Sequence, residues 1–172
     1  MTFDLSKIVR PKIYTLEPYR CARDDFQEGI LLDANENAHG PIPKELATTS
    51  LHRYPDPHQV ALKTAIADYR NKTNSNGDVK ETLTFENICF GVGSDESIDS
   101  LIRALCVPGE DKILVCPPTY SMYSVSSTIN DVEIVTSPLI VEDNSFQINT
   151  EAMLEKLSYD RRIKIVFITS PG

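Results

Sequence analysis

The sequence predicts an α/β fold, a mainly parallel sheet flanked by helices and preceded by an irregular N-terminal arm. Three observations predict it. From Ile88 onward, short apolar runs alternate with helix-period segments, the pattern of parallel strands joined by crossover helices. Before that, Pro11, Pro18, Pro41, Pro43, Pro55 and Pro57 cut the chain into pieces too short for long regular elements. The 172 residues, 41% hydrophobic and 24% charged, have globular composition and are enough for one core.

Taken in order, the arm runs to Pro57 and the α/β region spans residues 58–172. A first helix is expected from His58 to Asn71, with Leu62, Ala65, Ile66 and Tyr69 on one face, followed by a polar loop from Asn74 to Lys80. Strand Ile88 to Val92 then leads into helix Ser94 to Cys106, whose Ile98, Leu101, Ile102 and Leu105 recur at i, i+3, i+4 and i+7 and form one buried stripe. Strand Lys112 to Cys116, helix Thr119 to Ile129 and strand Val132 to Thr136 follow. A shorter helix, Thr150 to Leu157, precedes the apolar strand Ile163 to Thr169. Glu142-Asp143 and Arg161-Arg162 read as solvated turns.

A formal charge of −8 argues against a nucleic-acid backbone or an anionic membrane as main partner, because both need a basic face. No segment approaches the ~20 apolar residues of a membrane span, and Met1 to Arg10 has no apolar core of signal-peptide length, so a cytoplasmic location is expected. Cys21, Cys89, Cys106 and Cys116 form no Cys-x-x-Cys pair, and His39, His52 and His58 have no triad or metal-ligand spacing. No metal site is expected.

In open α/β sheets ligands bind outside the carboxyl ends of the strands. Three loops leave those ends: Gly91 to Glu96, Pro117-Pro118-Thr119-Tyr120 and Ser170-Pro171-Gly172. Gly91 and Gly93 allow a tight turn, and Ser94 can cap the helix whose first amides then point outward. Such a terminus binds anions, although Asp95 and Glu96 also suit the positive end of a helix dipole with no ligand at all. Tyr120 can lie flat against a planar ligand at that site or pack as an ordinary core or surface tyrosine.

Five segments in order, Leu16-Glu17-Pro18-Tyr19-Arg20-Cys21-Ala22-Arg23, Leu32-Asp33-Ala34-Asn35-Glu36-Asn37, Arg53-Tyr54-Pro55-Asp56-Pro57, Gly91-Val92-Gly93-Ser94-Asp95-Glu96 and Cys116-Pro117-Pro118-Thr119-Tyr120-Ser121-Met122-Tyr123, together resemble the histidinol-phosphate aminotransferases. These are pyridoxal-phosphate enzymes of the aspartate-aminotransferase fold, and the resemblance runs nearly end to end. It implies that the amides of Ser94, Asp95 and Glu96 hold the phosphate of pyridoxal 5′-phosphate, with their two carboxylates turned away, and that Tyr120 stacks on its ring. It further implies that Tyr54 reaches the cofactor phosphate of a neighbouring subunit in a homodimer, and that Tyr19 contacts the substrate phosphate. Asn35 and Asn37 would line the substrate site, with Ala38 standing where the family usually has proline. Residues 1–57 become an arm and substrate or dimer segment, and 58–172 an incomplete cofactor-binding large domain.

The resemblance also implies transamination between L-histidinol phosphate and 2-oxoglutarate, with the catalytic lysine and the substrate arginines lying beyond Gly172. None of the nine lysines sits where a desolvated amine of lowered pKa is expected, so residues 1–172 read as an N-terminal portion that is inactive alone. Two other readings stay open. One is a different aminotransferase or a phospho-amino-acid decarboxylase of the same fold, and the other a non-enzymatic phosphate- or nucleotide-binding module.

Overall fold

The computed structural model describes residues 4–42, 44–73, 82–142 and 145–170. The polar loop expected over Asn74 to Lys80, Asp143 of the acidic turn, and Pro171-Gly172 of the third loop lie outside them. The chain divides into two compact units: one joins the N-terminal segment through Glu17 to the chain from Phe90 onward, and the other is Pro18–Cys89.

In the first unit the sheet has three parallel strands, β1 (Lys112–Val115), β2 (Glu133–Thr136) and β3 (Ile163–Phe167), in the order β2-β1-β3. Lys112 pairs with Glu133 on one side and with Ile163 on the other, and the β3 register shifts between Lys112 and Ile113. β1 is buried along its whole length because both faces are covered. Ile113 and Val115 pack with Ile98, Ile102, Cys106 and Val132, whereas Leu114 and Cys116 pack with Met153. This is the two-residue period of a strand, read out as two cores.

Helix α3 (Gly93–Leu105) and helix α4 (Met122–Ile129) cover the first face, while α5 (Thr150–Tyr159) supplies Met153 to the second. The buried stripe of α3 is narrower than its periodicity suggests. Ile98, Ile102 and the following Cys106 are buried at i, i+4 and i+8, but Leu101 is exposed at the stripe's margin. Ser126 and Ser127 of α4 are buried, and such small side chains let its backbone approach its neighbours closely. Asn130 then donates to Asp99 at 2.7 Å, and Asp99 also takes the guanidinium of Arg103 at 2.5 Å.

One expected strand is absent. Ile88 to Val92 is irregular, and Val92 is exposed, because apolar character does not by itself supply a ladder: among the described residues no free strand edge pairs with this run. Helix α4 also starts three residues later than expected, since the cis Pro117-Pro118 pair and Thr119-Tyr120 form a loop. The N-terminal segment closes the opposite end of α3. After a short turn at Leu5–Lys7, the Arg10 amide donates to Ala104 O at 2.9 Å and its guanidinium to Arg103 O at 2.8 Å, satisfying last-turn carbonyls. Helix α1 (Pro11–Tyr14) follows, with proline at its first position.

In the second unit, α2 (Val60–Thr73) begins two residues later than expected. Asp56 Oδ2 accepts from the Val60 amide at 3.3 Å, and Gln59 takes a left-handed φ of 49° just before the helix. The face expected to be buried is not: Leu62 and Tyr69 are exposed and Ala67 is the buried residue. Among the described residues α2 packs chiefly on a short turn at Phe85–Asn87, which leaves Leu62 and Tyr69 uncovered.

Candidate functional site

The carboxyl ends of β1 and β3 meet. Thr119 Oγ1 lies 2.9 Å from Thr169 Oγ1, and Tyr123 Oη lies 3.1 Å from the same Thr169 oxygen. The loop after β1 also meets the start of α3, where Tyr120 Oη donates to Asp95 Oδ1 at 2.8 Å. Three strand or loop mouths therefore share one rim, at a point where the chain has crossed from one side of β1 to the other. An aromatic series supports it: Tyr120 stands edge-on to Tyr123 at 5.9 Å, and Tyr123 stacks on Phe167 at 4.5 Å. Neither Tyr123 nor the Thr119–Thr169 contact was anticipated; only the position of these residues at strand ends hinted at them.

The start of α3 differs from expectation in one detail. Ser94 is not the cap: Gly93 takes φ of 72°, the helix begins there, and Val92 is the cap residue with no side-chain cap of its own. Glu96 supplies the missing acceptor by folding back so that its Oε2 accepts the Val92 amide. The Gly93 amide is taken by Gly91 O at 2.9 Å. Ser94 is thereby left inside an exposed first turn, where helical geometry gives its amide and that of Asp95 no intrahelical acceptor.

Gly91 lies close against the start of the helix. A Cβ there would meet Ser97 Oγ at 2.8 Å and Ser97 N at 3.3 Å, so the loop is folded tightly against the first turn. The two carboxylates at this positive terminus are both engaged, Asp95 by a phenol and Glu96 by a backbone amide. That hydrogen bond to Asp95, reinforced by burial, raises the Tyr120 pKa and keeps the phenol protonated. Two outward amides on a helix of thirteen residues, a glycine cradle and a half-exposed aromatic ring suit a planar ligand with an anionic tail.

The remaining candidates, Tyr19, Asn35, Asn37 and Tyr54, belong to the second unit. Tyr19 is almost fully exposed, and Asn35 is exposed. Asn37 closes a turn of its own, donating from Nδ2 to Gly40 O at 2.7 Å and accepting the His39 amide at 3.1 Å, so the loop is fixed with Ala38 in place of proline. Tyr54 is tied to the same segment, because its amide donates to Glu36 Oε1 at 2.7 Å. Arg23 and Arg53 bind that carboxylate and hold its pKa down to about 2, Arg23 contributing most.

Lys112 is the buried lysine of the first unit, and it lies at the amino end of β1, away from the rim. Its Nζ is paired with Glu133 at 2.6 Å and Asp160 at 3.1 Å, the first of which raises its pKa. It is a structural cation. Cys106 is buried, and desolvation pushes its thiol up to about 11, which leaves it an unreactive core residue. No helix among the described residues is long and apolar enough to cross a membrane.

Comparison with known proteins shows what the chain is similar to. Histidinol-phosphate aminotransferase of Saccharomyces cerevisiae is 67% identical over 174 residues, a match covering 100% of this chain and 45% of that protein. The Candida maltosa enzyme of the same name is 59% identical, covering 99% and 44%, and that of Schizosaccharomyces pombe is 52% identical, covering 99% and 42%. The chain thus spans less than half the length of these relatives. Among solved structures, N-succinyldiaminopimelate aminotransferase of Mycobacterium tuberculosis superposes with a TM-score of 0.59 at 24% identity, covering 75% of this chain and 32% of that one. Cystalysin of Treponema denticola, whose crystal structure contains pyridoxal 5′-phosphate, gives a TM-score of 0.57 at 19% identity, covering 72% and 29%. Both show the same fold. Residues 27–172 match the family model described as aminotransferase class I and II, and the chain belongs to that family.

Proposed function

We propose that the complete protein transfers the amino group of L-histidinol phosphate to 2-oxoglutarate, using pyridoxal 5′-phosphate seated at the rim between the start of α3 and the loop after β1. The observation that carries this is the meeting of Tyr120 with Asp95 at a helix terminus whose neighbouring amides face outward. The substrate assignment is supported by relatives of 67, 59 and 52% identity that all bear the name histidinol-phosphate aminotransferase.

The residues present fit the cofactor. The amides of Ser94 and Asp95 hold the phosphate, each charge-assisted hydrogen bond contributing about 1.5 to 3 kcal/mol, whereas the Glu96 amide, expected from the resemblance to join them, lies one position too far into α3 and is taken by the first helical turn. The ring of Tyr120 lies against the pyridine, oriented through its hydroxyl by Asp95. When bound, the cofactor supplies a conjugated ring that accepts the electron pair left as the amine-bearing carbon of the substrate loses its proton. Tyr54 reaches the cofactor phosphate of a second subunit, Tyr19 donates to the substrate phosphate, and Asn35 and Asn37 line the substrate site, Asn37 through the turn it closes. In this reading residues 1–57 serve as arm and interface, 58–172 as part of the cofactor-binding domain, and the enzyme works as a cytoplasmic homodimer.

The covalent anchor for the cofactor is assigned to none of the lysines here. Adding pyridoxal phosphate to the complete protein is expected to give a visible absorbance band, and an amino-donor screen is expected to favour histidinol phosphate. No band would remove the cofactor assignment. A donor screen with no preference for histidinol phosphate over aromatic amino acids would remove the substrate while leaving the class.

A further inference from the structure

Glu36 sits between Asn35 and Asn37, yet its side chain is only 4% exposed. Its Oε1 accepts the Tyr54 amide at 2.7 Å and Arg23 Nη1 at 3.3 Å, and its Oε2 accepts Arg23 Nη2 at 2.7 Å and Arg53 Nη1 at 2.6 Å. Arg23 is in turn held by Asp33 Oδ1, from Nε at 3.0 Å and from Nη2 at 2.9 Å. One carboxylate therefore gathers three stretches of chain that lie 13 to 18 residues apart.

The uncharged donor in this set is the Tyr54 amide. Pro55 follows, and a residue before proline is confined to extended backbone. Tyr54 is thus fixed on its amino side by Glu36 and on its carboxyl side by proline, while the side chain itself remains 67% exposed. Only the two side-chain torsions are left to order when the phenol meets a ligand, and pre-ordered groups lose less freedom on binding.

We propose that Glu36, with Arg23 and Arg53 as its counter-charges, is a positioning residue that holds the Tyr54 backbone so that the phenol is presented to the cofactor phosphate. This rests on the reading of Tyr54 as a phosphate ligand given above. Glu36 touches neither cofactor nor substrate; it acts through the Tyr54 amide.

The test is a double-mutant cycle in the complete protein, reading pyridoxal-phosphate affinity by absorbance titration for the wild type, Glu36→Gln, Tyr54→Phe and the pair. Glu36→Gln keeps an acceptor oxygen but loses the charge that holds both arginines, and is expected to weaken binding several-fold, with Glu36→Ala weakening it about tenfold. Tyr54→Phe is expected to weaken binding also, and the pair to bind no worse than Tyr54→Phe alone. Amide exchange at Tyr54 is expected to quicken in Glu36→Gln, a readout that keeps the proposal testable if Glu36→Ala does not fold. Additive losses, wild-type affinity in Glu36→Gln, or unchanged Tyr54 exchange would overturn the positioning role and leave Tyr54 as a ligand. Unchanged affinity in Tyr54→Phe would overturn both.

Discussion

Two glycines four and two residues ahead of Asp95 and Tyr120's carboxylate partner itself show how single residues shape the rim. Gly91→Ala would place a methyl 2.8 Å from Ser97 Oγ, which can rotate away, and 3.3 Å from the backbone atoms Ser97 N and Gly93 O, which must give by a few tenths of an ångström. This small displacement at the start of α3 is expected to cost about 1 kcal/mol in stability and to weaken pyridoxal-phosphate binding several-fold in the complete protein. Gly93→Ala meets no atom but holds φ at 72°, so its cost is the left-handed strain of about 1 to 2 kcal/mol, and Gly93→Asn should recover part of it. Thermal unfolding and cofactor titration of the three variants check this order. Asp95→Asn tests the other partner: the carboxylate that raises the Tyr120 pKa is removed, so the phenol should titrate at a lower pH, followed by its ultraviolet absorbance. The glycines and Tyr120 were legible in the sequence because their reasons are local. Glu36 was not, since its partners Arg23 and Arg53 lie at separations no helical or strand period selects.

At the scale of elements, helix and strand order followed from periodicity, and the places where it misled share a cause. Periodicity reports which residues want burial, whereas tertiary structure decides what is available to bury them. Among the described residues, Ile88 to Val92 joins none of the three strands of the sheet, and α2 packs chiefly on a short turn that leaves Leu62 and Tyr69 exposed. Within α3 the same distinction predicts unequal mutations. Ile102 is fully buried against β1, so Ile102→Ala should cost about 2 to 5 kcal/mol, while Leu101→Ala, beside it in sequence but 48% exposed, should cost well under half as much. Denaturant unfolding of the complete protein measures both. In the second unit the Glu36 cluster gives a pH dependence. Its pKa is about 2 in the folded state against an ordinary 4.5, so the stabilisation is complete above the ordinary value and is lost as pH falls from 4.5 toward 2. Acid unfolding followed by circular dichroism should move to higher pH in Arg53→Ala, which removes one of the two cations.

Over the whole molecule, the fold and the rim were more legible than the extent of exposed apolar surface. Tyr19, Ile30, Leu32 and Ile42 are 86 to 90% exposed, and β2 and β3 each have one side with no strand paired to it among the described residues. Large apolar side chains left in water, like open strand edges, favour association with other chains. The net charge of −8 opposes this only in part, because salt screens it at distances beyond about 8 Å. Of the proposed cofactor ligands, by contrast, the Ser94 and Asp95 amides and the Tyr120 ring all belong to the first unit, and Tyr54 alone to the second. A polypeptide of residues 1–172 alone should therefore self-associate and retain pyridoxal phosphate weakly through its phosphate, with no turnover, because among the described residues no lysine of the first unit is placed at the rim. Size-exclusion chromatography, equilibrium dialysis with the cofactor and a transaminase assay on that polypeptide test the three parts separately. Any measurable amino transfer by it would mean that an amine within these residues does reach the rim, and would overturn the reading of residues 1–172 as inactive alone.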